Sequence, residues 1–245
     1  MLRIIAMELT NKCNIKCVQC PQDHLPIEFG FMTEEVLRKC LRFCDGYTEL
    51  NWRGEPTLHP ELVRFAGIAK ETRPNLRLGF HTHGLMLDKA MFQDLVRAGL
   101  DWLHVSLHTV RSCEQYKCVR EWNEELGSPL FVYADTDSTQ EKLVALSTGL
   151  NLKEFHHDQY ANWAGYLTGN RIVQQDAASI WAQCPFPQQS VVIAAWDGSI
   201  NGCCWDFQGK HKIGHVDELE TLQHSGPYEL CPKCIWVRNY ESLPV

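Results

Sequence analysis

The 245-residue sequence has no apolar run near the ~18 residues that a membrane-spanning helix needs. Basic residues are in the minority: 23 Lys and Arg stand against 30 Asp and Glu, a formal net charge of -7. That balance argues against tight attachment to nucleic-acid backbones or anionic membranes, both of which reward positive charge. Internal repeats and low-complexity tracts are also missing. The first residues, Met1-Leu2-Arg3-Ile4-Ile5, turn polar too soon for a signal peptide. These absences lead us to expect a cytoplasmic protein with no membrane association and no stable nucleic-acid partner.

The hydrophobic fraction of 44% and charged fraction of 22% are those of an ordinary globular chain. The length suits one domain, or one domain with a small appendage. The 12 cysteines are the departure. In a long chain without an export signal, clustered cysteines more often bind metal than pair as disulfides.

Segments of period-two alternation are separated by segments of helical spacing. Strands are expected over residues 4–9, 49–53, 77–82, 102–107, 130–134 and 153–157. Helices are expected over 33–43, 60–72 and 87–98, with Thr33 as an N-cap, Glu34 and Glu35 near the positive end, and Gly99 as a stop. Such alternation implies a parallel sheet with helices outside it.

One face of these strands is polar: Glu49, Asn51 and Arg53; Gly79, His81 and His83; His104, Ser106 and His108. Leu50 and Trp52, then Leu78, Phe80 and Thr82, then Leu103, Val105 and Leu107 fall on the other. A closed, packed barrel wants apolar residues on both faces. The pattern therefore predicts a splayed, partial barrel with a polar lumen. Between Thr109 and Leu130 there is little room for a regular crossover helix, and the helix after Asp137-Ser138 is short. The expected fold class is α/β: a partial (β/α)6 barrel over residues 1–174, compressed in its second half, and a small module over 175–245. In that module strands over 190–195 and 199–203 flank Trp196-Asp197-Gly198, a hairpin signal, and a short helix is expected over 217–223.

Cys13, Cys17 and Cys20 follow the first strand in C-x3-C-x2-C spacing. Three thiolates can hold three irons of a four-iron cubane and leave the fourth open. Zinc would need a distant fourth ligand, because structural zinc sites are closed by four; chance grouping is the third alternative. Downstream come Trp52-Arg53-Gly54-Glu55-Pro56-Thr57, Phe80-His81-Thr82-His83-Gly84 and Val105-Ser106-Leu107-His108, each at a strand end.

Triad and motifs together resemble the radical S-adenosylmethionine (SAM) superfamily. The resemblance implies a [4Fe–4S] cluster on Cys13, Cys17 and Cys20 whose open iron chelates SAM. It implies reductive cleavage of SAM to methionine and a 5′-deoxyadenosyl radical, and an electron donor such as flavodoxin or ferredoxin. Gly54, Glu55 and Pro56 then meet the methionine end of SAM. Thr82 and His83 lie near the ribose, Ser106 and His108 near the ribose or carboxylate, and Gln19 makes a backbone contact. Three residues depart from the family pattern. Arg53 replaces a glycine, Gln19 an aromatic and His83 an asparagine. Arg53 is expected to point into the lumen and serve the substrate.

Cys184, Cys203-Cys204 and Cys231-Pro232-Lys233-Cys234 form a second group. Taken alone they suit a zinc ribbon-like knot. With Gly198–Cys203 and Ile213-Gly214-His215-Val216 they resemble the SPASM/twitch extension of radical SAM enzymes. That resemblance implies one auxiliary [4Fe–4S] cluster on Cys184, Cys203, Cys231 and Cys234, with Cys203 preferred over Cys204 for its position after the Gly198 turn. Cys40 and Cys44, spaced i,i+4, are expected in the core. Cys113, Cys118 and Cys204 are candidate hydrogen-atom donors.

In architecture the chain resembles the 2-deoxy-scyllo-inosamine dehydrogenases, which implies oxidation of an alcohol carbon with the second electron passing to the auxiliary cluster. The stretch corresponding to their arginine, Ala161-Asn162-Trp163-Ala164-Gly165, has no arginine. Alternatives therefore stand: a radical epimerase with a cysteine hydrogen donor, a peptide- or nucleotide-modifying radical SAM enzyme, or a zinc-binding interaction module. Only 12 residues precede Cys13, which argues against a leading peptide-recognition domain. Asn51, Arg53, Asp158, Tyr160 and the lumen histidines favour a small polar substrate: a sugar, an aminocyclitol or a nucleoside-like molecule.

Overall fold

The computed structural model describes residues 1–17, 20–24, 26–136, 139–150 and 174–234. Gln19, the expected strand over 153–157, Asp158, Tyr160 and Trp163 lie outside these residues. Five strands, β1 (Arg3–Met7), β2 (Tyr47–Glu49), β3 (Arg77–Thr82), β4 (Trp102–Ser106) and β5 (Phe131–Asp135), run parallel to one another. Late in the chain, β6 (Val191–Ala194) returns to pair in parallel with β1. The antiparallel strands β7 (Ser199–Asn201) and β8 (Lys212–His215) extend that edge. Among the described residues these form one open eight-stranded sheet, ordered β5-β4-β3-β2-β1-β6-β7-β8. Its hydrogen bonding crosses the residue-174 boundary, because β6 is bonded to β1.

Helices α1 (Glu34–Leu41), α2 (Leu62–Thr72), α3 (Lys89–Arg97), α4 (Val110–Glu125) and α5 (Thr139–Ser147) cover the outer face. Thr33 caps α1 by accepting from Val36 N at 3.3 Å. Asp88 caps α3 through Met91 N at 2.7 Å. Gly99, at φ +88°, ends α3 in a left-handed turn that glycine adopts without strain. Leu37 and Leu41 of α1, Phe65 of α2 and Phe92 of α3 are fully buried against Leu78, Phe80, Leu103 and Val105. Each such side chain stabilises the fold by about 1.5–3 kcal/mol.

The expectation of no regular helix between Thr109 and Leu130 is corrected: α4 spans 16 residues. Thr109 and Ser112 form a capping box, with Ser112 N donating to Thr109 Oγ1 at 3.1 Å and Thr109 N to Ser112 Oγ at 2.8 Å. The inward residues are Cys113, Tyr116, Val119 and Asn123, a stripe poor in aliphatic side chains and therefore hard to see. Asn123 Nδ2 donates to Leu130 O at 3.0 Å and Leu130 N donates to Asn123 Oδ1 at 3.1 Å, which seats the helix end on β5.

The second expected strand ends early, at Glu49. Asn51 Oδ1 accepts from His81 N at 2.8 Å, so a side chain replaces the backbone ladder there. Alternation fails beyond it. Trp52 turns toward the C-terminal module instead of the helices, and its Nε1 donates to Cys204 O at 2.8 Å. The helix expected over 217–223 is a single 3-10 turn, Val216–Glu218, opened by Asp217 N donating to His215 Nδ1 at 3.3 Å. Among the described residues, no helix is long and apolar enough to cross a membrane.

Candidate active site

The loop after β1 carries Cys13, Cys17 and Cys20, all half-buried. Cys20 N donates to Cys17 O at 3.0 Å and closes the last turn of the triad. The two arms of the loop are tied together at their base. Asn11 Nδ2 donates to Glu28 O at 2.6 Å and Asn11 Oδ1 accepts from Gly30 N at 3.0 Å. Thr10 Oγ1 donates to Gly30 O at 2.6 Å.

The loop after β2 grips the same base. A Cβ on Gly54 would lie 2.4 Å from Thr10 O, so only glycine allows this approach. Next to it, Glu55 N donates to Lys12 O at 2.8 Å. The Glu55 carboxylate, 2% exposed as a residue, is a hub. Its Oε1 accepts from Thr57 N at 3.1 Å, Thr57 Oγ1 at 2.6 Å and Thr82 Oγ1 at 2.6 Å. Its Oε2 accepts from His83 N at 2.9 Å. A carboxylate offers about four acceptor sites, two on each oxygen. Oε2 also lies 3.3 Å from His83 Nε2.

His83 Nδ1 accepts from Leu85 N at 3.0 Å, so Nε2 carries the proton and donates to Asn14 Oδ1 at 2.8 Å, inside the triad. Burial holds the His83 pKa down and keeps the ring neutral despite Glu55 beside it. Burial, with Glu55 and Cys17 nearby, pushes the Cys13 thiol up to about 11. A site where thiols and carboxylate oppose one another favours thiolates only when cationic metal is present, and three thiolates suit a cubane with one open iron. Pro56 opens the turn after Glu55, and Ser106 and His108 follow at the end of β4, His108 N donating to Ser106 O at 3.1 Å.

Arg53 is held more tightly than its substrate role suggested. Nε and Nη2 form a fork on Glu8 Oε1 and Oε2 at 2.7 and 2.6 Å, and Nη1 donates to Phe207 O at 2.9 Å. The side chains are 6% and 0% exposed, and the guanidinium carbon lies 4.0 Å from the Trp52 ring centre. Arg53 still lines a polar cavity of about 230 Å³ that Glu28, Trp196, Asn201 and Lys212 share. Asn201 Oδ1 is buried there without a partner.

The C-terminal cysteines ring a second, smaller cavity of about 20 Å³. Cys184, Cys203, Cys204, Cys231 and Cys234 line it, with Trp181, Phe186 and Tyr228. Helices α6 (Ala177–Gln183) and α7 (Pro185–Gln188) meet at Cys184, and Cys231 opens a 3-10 turn that ends at Cys234. Burial pushes the Cys184 thiol up to about 11, with Cys234 and Cys231 adding to the shift. It raises Cys203 and Cys204 as well. Such a set needs a positive core to hold it as thiolates, which is what an iron–sulfur cluster provides. Cys203 packs with Cys184, Cys231 and Cys234, whereas Cys204 packs toward the barrel with Phe186 and Ile193.

Cys113 is fully buried in the helix-side core and Cys118 lies on the same helix, so neither is brought to the lumen. Cys40 and Cys44 lie in the core as expected. Glu8, Asn11, Asn14 and Asn201 were not singled out from the sequence. Only Glu8 carried a signal, a lone carboxylate in an otherwise apolar stretch, Ile4 to Leu9.

The radical SAM superfamily model matches residues 7–120, which hold the triad, the Gly54–Pro56 turn and the end of β4. Over those residues, a little under half of its length, the chain is similar to radical SAM domains, which use a [4Fe–4S] cluster and SAM. Among curated relatives, the tungsten-containing aldehyde ferredoxin oxidoreductase cofactor-modifying protein of Pyrococcus furiosus is 23% identical over 241 residues, covering 94% of this chain and 63% of that protein. Molybdenum cofactor biosynthesis protein 1 of Drosophila melanogaster is 32% identical over 113 residues, covering 44% of this chain and 20% of that protein. The chain thus spans less than two thirds of either relative. BtrN, solved in complex with AdoMet and 2-DOIA, superposes with a TM-score of 0.63 at 18% identity, covering 99% of this chain and 86% of that one. The anSMEcpe structure with bound AdoMet and a Cp18Cys peptide gives 0.57 at 14% identity, covering 97% and 87%. Both likenesses establish the fold alone, an open, partial α/β barrel.

Proposed function

We propose that this protein is a radical SAM oxidoreductase that oxidises an alcohol carbon of a small polar substrate. Residues 1–174 are its barrel and 175–245 its auxiliary-cluster module. Cys13, Cys17 and Cys20 hold the SAM-binding cluster; Cys184, Cys203, Cys231 and Cys234 hold the auxiliary one. When bound and reduced, the first cluster and SAM supply a 5′-deoxyadenosyl radical able to take hydrogen from an unactivated carbon. The chain's own residues orient the parts. Glu55, fixed by its Thr57, Thr82 and His83 bonds, offers Oε2 to the SAM ammonium. Ser106 and His108 meet the nucleoside.

The observation that carries this reading is the polar cavity. Its walls come from the returning arm of the triad loop, from Arg53, and from the strand that leads to Cys203. An unpaired Asn201 acceptor, acidic Glu28 and cationic Lys212 suit a molecule bearing hydroxyl or ammonium groups. A flavodoxin- or ferredoxin-type protein is the expected reductant.

A second reading, epimerisation, rests on Cys204, the one candidate donor thiol of the described residues that packs on the barrel side of the cysteine cavity. The test is anaerobic turnover of the reconstituted enzyme with SAM and 2-deoxy-scyllo-inosamine in D2O. Formation of 5′-deoxyadenosine with a ketone supports oxidation. Solvent deuterium on carbon without a ketone supports epimerisation. No 5′-deoxyadenosine above the substrate-free background rejects this substrate.

A further inference from the structure

Two polar groups on the wall of the polar cavity are left idle by the fold. Asn201 on β7 is 1% exposed, yet its Oδ1 has no hydrogen-bond partner among the described residues. A buried acceptor is costly unless a donor reaches it. Arg53 has the opposite surplus. A guanidinium carries five N–H groups in a fixed fork. Among the described residues Nε and Nη2 bond Glu8, and Nη1 spends one of its pair of hydrogens on Phe207 O. The second Nη1 hydrogen is unspent. A methyl group on Gly209 would lie 3.5 Å from Asn201 Oδ1 and 3.7 Å from Arg53 Nη1. The idle acceptor and the idle donor therefore border the same space, and Gly209 has no side chain to fill it.

That pairing selects a chemical group. A hydroxyl donates one hydrogen and accepts another, so it satisfies both atoms at once. An ammonium only donates and would face the guanidinium with its own charge. A carboxylate or a dianionic phosphate only accepts and would leave Asn201 Oδ1 bare. The charges on the wall point the same way. Arg53 is neutralised by its fork on Glu8. Lys212 stands near Asp197, whose Oδ1 and Oδ2 accept from Ser199 N at 2.9 Å and Ser199 Oγ at 2.7 Å. Against the upward push of burial, those bonds and the Lys212 charge hold the Asp197 carboxyl below its usual range, so it stays ionised. Glu28 is the wall charge left without a counterpart among the described residues.

We propose that Asn201 Oδ1 and Arg53 Nη1 together read one hydroxyl of the ligand, and that the cavity takes neutral or singly cationic polyols and rejects phosphorylated ones. The proposal rests on the reading of this cavity as the substrate site. The ligand hydroxyl donates to Asn201 Oδ1 and accepts from Arg53 Nη1. Glu28 favours an ammonium elsewhere on the same ring and repels a phosphate. A volume of about 230 Å³, below the roughly 300–1,000 Å³ of drug-sized pockets, suits a single small ring. Asn201 is then a specificity residue. A site built to bond a ligand hydroxyl disfavours the analogue that lacks it, because its own buried polar atoms are left unpaired.

The test is anaerobic titration calorimetry of the reconstituted protein, with SAM present, against a matched pair of probes: myo-inositol and myo-inositol 1-phosphate. The parent should bind myo-inositol, and the phosphate about tenfold more weakly or not at all. Asn201→Leu, close in shape but without the acceptor, should bind myo-inositol about tenfold more weakly. Equal or tighter binding of the phosphate overturns the proposal. So does unchanged affinity in Asn201→Leu, or a parent that binds neither probe and leaves the space to water. If Asn201→Leu loses its irons, the parent's choice between the two probes decides. Because the readout is binding, a parent that binds myo-inositol but oxidises no alcohol sinks the oxidation reading and leaves the hydroxyl site standing.

Discussion

The two cysteine sets are held in opposite ways. The N-terminal set is anchored by polar groups: the Glu8–Arg53 fork, the Asn11 and Thr10 ties, and the Glu55 hub. Its thiols are half-exposed. The C-terminal set is enclosed by Trp181, Phe186 and Tyr228. Each arrangement suits its proposed task. A cluster with an open iron has to admit and orient a zwitterionic cosubstrate, which calls for directional bonds. A four-thiolate cluster exchanges nothing, and an apolar shell keeps water from it.

The sharpest break of this comparison is by cysteine. Cys17→Ala should remove about four irons and abolish SAM cleavage. Cys231→Ala should also remove about four irons but leave SAM cleavage measurable as 5′-deoxyadenosine. If cleavage vanished in both, the two sets would not be independent.

Next in size is Arg53→Met, which strands the Glu8 carboxylate in a site where it is 0% exposed. Breaking a buried pair from one side costs about 3–5 kcal/mol, read from denaturant unfolding of the cluster-free protein. A change below about 1 kcal/mol, the range of exposed pairs, would mean that the polar anchor is decoration.

Comparing Cys203→Ala with Cys204→Ala sharpens the second site. Only the former should lose the auxiliary irons, since Cys203 packs with the other three thiols. Loss in both would make the adjacent thiols interchangeable.

The smallest effect is a pH dependence. His59 Nδ1 accepts from Glu61 N at 3.1 Å and Nε2 donates to Met32 O at 3.0 Å, and burial lowers its pKa. A folded value below the unfolded one of about 6.5 means that stability is full above about pH 6.5 and is lost as pH falls through the folded value. The denaturation midpoint should drop from about pH 7 toward about pH 5, and His59→Gln should make that slope shallower. An unchanged slope would mean that protonation of the His59 ring does not couple to folding.

The strand pattern and both cysteine groups were legible because period-two alternation and close cysteine spacing are local signals. Helix α4 was not, since Cys113, Tyr116 and Asn123 stand where aliphatic residues announce most buried faces. Arg53 was singled out from the sequence for the substrate, and in the structure it pairs with Glu8. Its partner was hidden because Glu8 lies just past β1 and Arg53 in the loop after β2, and pairing between distant loops leaves no mark at either position. Asn201 was invisible for a similar reason, its meaning coming from a cavity built by three separate segments.

The pairing of Arg3 with Val191 has a consequence for biogenesis. During synthesis the first strand emerges early, yet one of its edges waits for a partner made near the other end. Pairing over such a separation is slow to form, and an open strand edge recruits other chains. A nascent or truncated chain that stops before β6 would display that edge next to the triad loop. Delayed completion of the sheet therefore couples two hazards, aggregation and premature metal capture, to one late event on the ribosome.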